Sequence, residues 1–165
     1  MQGDAMSTHS DAPACGRVPE ADRAGVGGQT LYGSPAWLAI LREEARALLR
    51  AAPKTHAAFS LVEIFLDAPI EVRPRAGLPG YRMDFRDGTI TFRSSVTAEE
   101  TADLIVHIDW QAGIQLASMK NGPELSRASE HFTRAGKFKV TGTSAACPIP
   151  LQELHDRIVA RTVAA

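Results

Sequence analysis

Apolar positions first recur with helical spacing in SPAWLAILREEARALLRAAP (34–53). Trp37, Leu38, Leu41, Ala45, Leu48 and Leu49 share one face of a 3.6-residue period, while Arg42, Glu43, Glu44, Arg46 and Arg50 take the wet side. Ser34 suits the N-cap, Pro35 the first helical position, and Pro53 ends the run. The period then changes to two. In AAFSLVEIFLDAP (57–69), Phe59, Leu61 and Phe65 point one way and Val62, Ile64 and Leu66 the other, as in a central strand covered on both faces. The segment 68–80, with Pro69, Pro74, Pro79, Gly77 and Gly80, reads as a loop or ragged edge strand.

YRMDFRDGTITFRS (81–94) predicts a hairpin closed by Asp87-Gly88 as a two-residue type I′ turn. Its register places Phe85 opposite Ile90 and Met83 opposite Phe92 on one dry face. Arg82, Asp84, Arg86, Thr89, Thr91 and Arg93 take the wet face, with Asp84 diagonal to two arginines. After the polar connection 94–103, DLIVHID (103–109) predicts another strand. Asp109 can cap a helix from Trp110 to Met119 that stops at Lys120-Asn121-Gly122 in a left-handed turn. Pro123 to Arg134 follows as a helix ended by Gly136, then KFKVTG (137–142) as a short strand. The last helix lies in PIPLQELHDRIVART, with Leu151, Leu154 and Ile158 on its inner stripe.

Strands seldom alternate with crossover helices in this order. The expectation is therefore an α+β fold, a mostly antiparallel sheet of about five strands with helices covering one face. Residues 1–33 are rich in Gly, Ala, Asp, Ser and Pro without periodicity and read as a disordered tail before a single domain at 34–165.

Composition narrows the classes. The chain has 165 residues, 44% of them apolar, and a formal net charge of −1, so nothing marks a nucleic-acid-binding surface. No apolar run reaches the length of a transmembrane helix and no secretory leader pattern is present, which makes a cytoplasmic protein the expectation. Cys15 and Cys147 form no C-x-x-C pair, and the histidines (9, 56, 107, 131 and 155) show no ligand spacing, so no metal and no cofactor are expected. There is no G-x-S-x-G, and GVGGQ (25–29) has neither the strand nor the Lys-Ser/Thr of a phosphate loop.

Two polar sites remain. Glu63 falls on the face of Phe59, Leu61 and Phe65. A buried carboxylate there could serve as a general base of raised pKa, though such a group more often reaches an edge or pairs with an arginine. His107 and Asp109 could form a second acid–base pair. The plainer reading has Asp109 capping the next helix and His107 making a local hydrogen bond. Met83, Phe85, Phe92, Trp110, Met119, Phe132 and Phe138 converge on the dry face. The helix over them is short and carries Gly113, so it packs loosely and leaves room for an apolar void.

YRMDFRDGTITF, TADLIVHID, DWQAGIQLASMKNG and HFTRAGKFKVTG, in that order and spacing and preceded by the helix from Ser34, resemble the sterol carrier protein family of nonspecific lipid-transfer type. The resemblance implies an apolar tunnel between sheet and helices for a fatty acyl chain, a sterol-like ring system or a quinone precursor, with no chemistry of its own. By position it implies a lining of Phe85, Val106, Trp110, Ile114, Met119, Phe132 and Phe138. The chain departs from the pattern in a longer 123–131 segment, in TSAACPIP after the last strand, and in ending on VAA rather than a peroxisomal address. The expected partner is a hydrophobic small molecule or lipid. The alternatives are a small isomerase- or hydrolase-type enzyme using Glu63 or His107/Asp109 as general base, and a protein-docking module.

Overall fold

The computed structural model describes residues 30–53 and 58–162. Helix α1 (Pro35–Ala51) leads to strand β1 (Phe59–Leu66), a 3₁₀ turn at Ile70–Val72, β2 (Leu78–Arg86), β3 (Thr89–Val96) and β4 (Leu104–Asp109). Then come α2 (Trp110–Leu116), α3 (Pro123–Arg134), β5 (Phe138–Gly142) and α4 (Leu151–Thr162). The five strands form one sheet in the order β3-β2-β1-β4-β5.

The local expectations hold in detail at the hairpin. Arg86 pairs with Thr89, Phe85 with Ile90, Asp84 with Thr91, Met83 with Phe92 and Arg82 with Arg93. Asp87 and Gly88 turn with φ of 50° and 70°, the left-handed pair that a type I′ turn requires. At α1, the Ser34 hydroxyl accepts from the Trp37 amide and the helix ends before Pro53.

The sheet is mixed where the pattern suggested mostly antiparallel pairing. β1 pairs antiparallel with β2, β2 with β3 and β4 with β5, but β1 and β4 run parallel. A parallel neighbour needs a long connection. Here the β2–β3 hairpin and the irregular 97–103 segment supply it in place of a crossover helix. That segment is held by Glu100, whose carboxylate meets Arg82 at 2.8 Å and also meets Arg93. Ala102 closes on a small second core of Val62, Ile64, Val96 and Ile105. β1 is therefore central and apolar on both faces, as its sequence predicts.

The main core lies between the other face and the helices. Phe59, Phe85, Met83 and Leu41 are its largest fully buried side chains, each contributing on the order of 1.5–3 kcal/mol by leaving water. α1 and α4 are tied together across their outer sides by Arg161 to Glu43 at 2.8 Å and to Glu44 at 2.7 Å. The packed domain also starts earlier than expected. Tyr32, assigned to the tail, is 7% exposed and sits among Trp37, Phe65 and Trp110 with ring centroids 4.9–5.2 Å away. The rest of the proposed tail, residues 1–29, lies outside the described residues, as do His9, Cys15, His56 and the 25–29 glycine run. Among the described residues no helix is long and apolar enough to cross a membrane.

The expected helix from Trp110 to Met119 is shorter, ending at Leu116, and its stop is not a left-handed residue. Gly122 instead is the N-cap residue of α3, where the following Pro123 starts a new helix.

Candidate functional site

A cavity of about 300 Å³ opens between the sheet and the helices. The strands supply Leu61, Met83, Leu104, Val106, Ile108 and Phe138. Opposite them, Leu41 comes from α1, Leu116 from α2, Leu125 from α3, and Leu151, Leu154 and Ile158 from α4. These walls are mostly aliphatic, with the rings of Trp37 and Phe138 among them, because β1 and β4 alternate their inward residues with outward ones and the helices bring their leucine stripes down on them.

One corner of the cavity is polar. Glu63, Tyr81 and Val106 lie side by side on three neighbouring strands, since Glu63 pairs with both. Directly paired residues point to the same face, so the Glu63 carboxylate and the Tyr81 phenol meet over the cavity wall. The Tyr81 hydroxyl donates to Glu63 Oε2 at 2.6 Å, and the Tyr32 hydroxyl donates to Oε1. His155 lines the same cavity from α4, with Nε2 2.7 Å from the Met119 carbonyl oxygen. That oxygen can only accept, so Nε2 carries the hydrogen.

The electrostatics follow from this burial. Loss of water around Glu63 raises its carboxyl above the usual glutamate range, against the opposing pull of the two tyrosine hydrogen bonds and, more weakly, of His155. Both tyrosines are pushed well above their ordinary values by burial and then by the neighbouring Glu63 charge, so they remain donors. The native state thus keeps the Glu63 proton to a higher pH than the unfolded chain. Its contribution to stability is fully present below the unfolded value of about 4.3 and is lost as pH rises through the raised folded value. Glu63→Gln lacks this dependence. The difference in unfolding free energy, wild type minus Glu63→Gln, should therefore fall with rising pH across that window; urea titrations at several pH values showing a flat difference would contradict it.

Tyr32 reaches Glu63 because α2 gives it space. A Cβ at Gly113 would lie 2.4 Å from the Tyr32 ring. Gly113 is therefore a slot for an aromatic ring, not a loose point in the lid. Gly113→Ala gains about 1 kcal/mol of helix propensity but forces the ring aside, at a cost of about 1–3 kcal/mol. The expected outcome in denaturant unfolding is net destabilisation with the Tyr32–Glu63 bond weakened; a stabilised variant would show the slot to be unimportant.

The seven expected lining residues divide. Val106 and Phe138 line the cavity. Phe85 and Trp110 are 2% and 4% exposed inside the solid core, and Ile114 and Phe132 pack against that core. Met119 contributes its backbone carbonyl to His155. The residues the sequence reading missed are Tyr32, Tyr81, His155 and the α4 leucines. An inner stripe on α4 was visible, but its convergence with Glu63 was not.

On central strand β1 Glu63 does not reach an edge, and among the described residues tyrosines take the place of the expected arginine. His107 and Asp109 do not line the cavity. Asp109 caps α2, accepting from the Ala112 amide at 3.1 Å, as anticipated. His107 shares its strand face with Ile105, on the far side of the sheet, and the local hydrogen bond expected of it is missing at Nδ1, which is buried without a partner among the described residues. Among the described residues no group of three His, Cys, Asp or Glu side chains could hold a metal ion.

No protein-family profile matches the sequence, and no curated protein does. Among solved structures the chain is similar to a crystal structure of sterol carrier protein 2, at 18% identity and a TM-score of 0.45, over 78% of this chain and 97% of that one. It is also similar to a protein of Thermus thermophilus described as possibly a sterol carrier protein (17%, TM-score 0.39, 86% and 94%). A third is the sterol carrier protein domain 2 of Helicoverpa armigera (15%, TM-score 0.39, 82% and 97%).

Proposed function

We propose that this chain is a binding module for an apolar small molecule, held between the sheet and the helices. The observation that carries the reading is the cavity of about 300 Å³ with largely apolar walls and a polar corner at Glu63. That volume is at the low end of small-molecule sites, about 300–1,000 Å³. At about 30 Å³ per water-sized group it has room for about ten heavy atoms. Burying ten methylenes contributes about 8 kcal/mol, from which association removes about 4 kcal/mol or more. The apolar part alone then supports affinity near the millimolar range, so the polar corner has a share in any tighter binding.

The enzymatic reading, with Glu63 as a general base, draws on its raised pKa within the cavity. Both tyrosine hydroxyls, however, are spent on the carboxylate. That leaves neither of them to stabilise charge developing on a substrate, and binding without chemistry is the better-supported use. The expected result is saturable uptake of a neutral fluorescent alkyl probe by the purified full chain, competed by medium-chain alkanes and alcohols. A probe signal no larger than that of an unrelated protein of similar size would count against the proposal.

A further inference from the structure

We propose that the ligand of this cavity ends in a hydrogen-bond donor, a hydroxyl or a protonated amine, and that Glu63 accepts that donor. The inference rests on the binding reading above and specifies its ligand class. A carboxylate offers about four lone-pair sites. The Tyr32 and Tyr81 hydroxyls occupy one on each oxygen. Glu63 forms no ion pair with a lysine or arginine among the described residues, yet it borders the cavity. Its remaining lone pairs therefore face a space with largely apolar walls, where an unpaired acceptor is costly and a matching donor is correspondingly rewarded.

The opposite ligand chemistry is poorly served. Both phenolic hydrogens point at Glu63. His155 spends its Nε2 hydrogen on the Met119 carbonyl. Ser129 is the remaining hydroxyl on the wall. At the Glu63 corner a ligand carboxylate would meet a second carboxylate, and an ester would bring acceptors to an acceptor; the Trp37 indole N–H is the donor left on the wall besides Ser129. Donor-headed chains therefore fit the Glu63 corner better than fatty acids do.

The test is a competition series against the neutral probe at pH 7.5, using the wild-type full chain with 1-nonanol, nonylamine, nonanoate and methyl octanoate. Nonanol and nonylamine should bind at least about tenfold tighter than nonanoate and the ester, the advantage expected of a hydrogen bond to a charged acceptor. A lead of the amine over the alcohol would mark a charge pair and the reverse a neutral hydroxyl; either supports the assignment. Glu63→Gln should shrink the donor preference to about threefold or less, whereas Tyr81→Phe, which frees a lone pair on Oε2, should retain it. Equal affinities across the wild-type series, or a preference for nonanoate, would overturn the head-group assignment while leaving the cavity reading intact. Failure of every chain to displace the probe would remove both.

Discussion

Replacing Gly80 with alanine is expected to destabilise the protein by about 3 kcal/mol or more, the sum of backbone strain and overlap at a glycine-only position. Gly80 has a φ of 152°, and a Cβ there would sit 2.2 Å from the Glu63 carbonyl oxygen. No rotamer relieves a clash with backbone, so β2 must move away from β1. The position coincides with the register shift between Pro79 and Arg82 in the β2–β3 ladder. It also directly precedes Tyr81. The same substitution should therefore draw the Tyr81 hydroxyl off Glu63. For a chain of this size the melting temperature should fall by about 6–12 °C. Thermal unfolding within about 2 °C of wild type would show that the strands do not depend on this close approach.

Val106→Trp is expected to leave the protein folded and to weaken probe binding at least about tenfold, as filling a site removes the burial that drives it. Val106 is central in β4, paired with Glu63 on one side and Val140 on the other, and it faces the cavity. An indole there occupies empty space instead of displacing core atoms. The usual overpacking cost of about 1–3 kcal/mol is then reduced, and the melting temperature should stay near or above that of wild type. Probe fluorescence and thermal unfolding measured on the same preparation separate the two effects. A folded Val106→Trp variant that binds as wild type does would mean that the ligand lies elsewhere.

Much of this architecture was legible wherever a local rule controls it. The Asp87-Gly88 turn admits one register, and every pair it implied across 82–93 is present. Ser34, Pro35 and Pro53 bracket α1, and Asp109 caps α2. The parallel β1–β4 pairing was hidden because its connection contains a hairpin and an irregular segment, with no helix to signal a crossover. Glu63 was conspicuous as a charge in an apolar row, but its partners lie 31 and 18 residues away, at Tyr32 and Tyr81. Tyr32 stands in a glycine-rich stretch without periodicity, and its burial depends on distant partners: the rings of Trp37, Phe65 and Trp110, the Glu63 carboxylate and the slot at Gly113.

The expected lining named four aromatic residues, of which Phe138 borders the cavity. Large flat rings such as Phe85 and Trp110 fill the core solidly. The space that remains lies where leucines from α2, α3 and α4 meet the short inward side chains of β4. Which residues border a void depends on how helices land on a sheet, a tertiary property that spacing along the chain does not encode.

The most direct measurement is nuclear magnetic resonance of the methyl-labelled full chain titrated with 1-nonanol. An occupied cavity predicts intermolecular nuclear Overhauser effects from the alkyl chain to the methyls of Val106, Leu116 and Leu154, with the hydroxyl end toward Glu63. Saturating nonanol that leaves those methyls without contacts or shifts, while they remain well dispersed, would contradict the account.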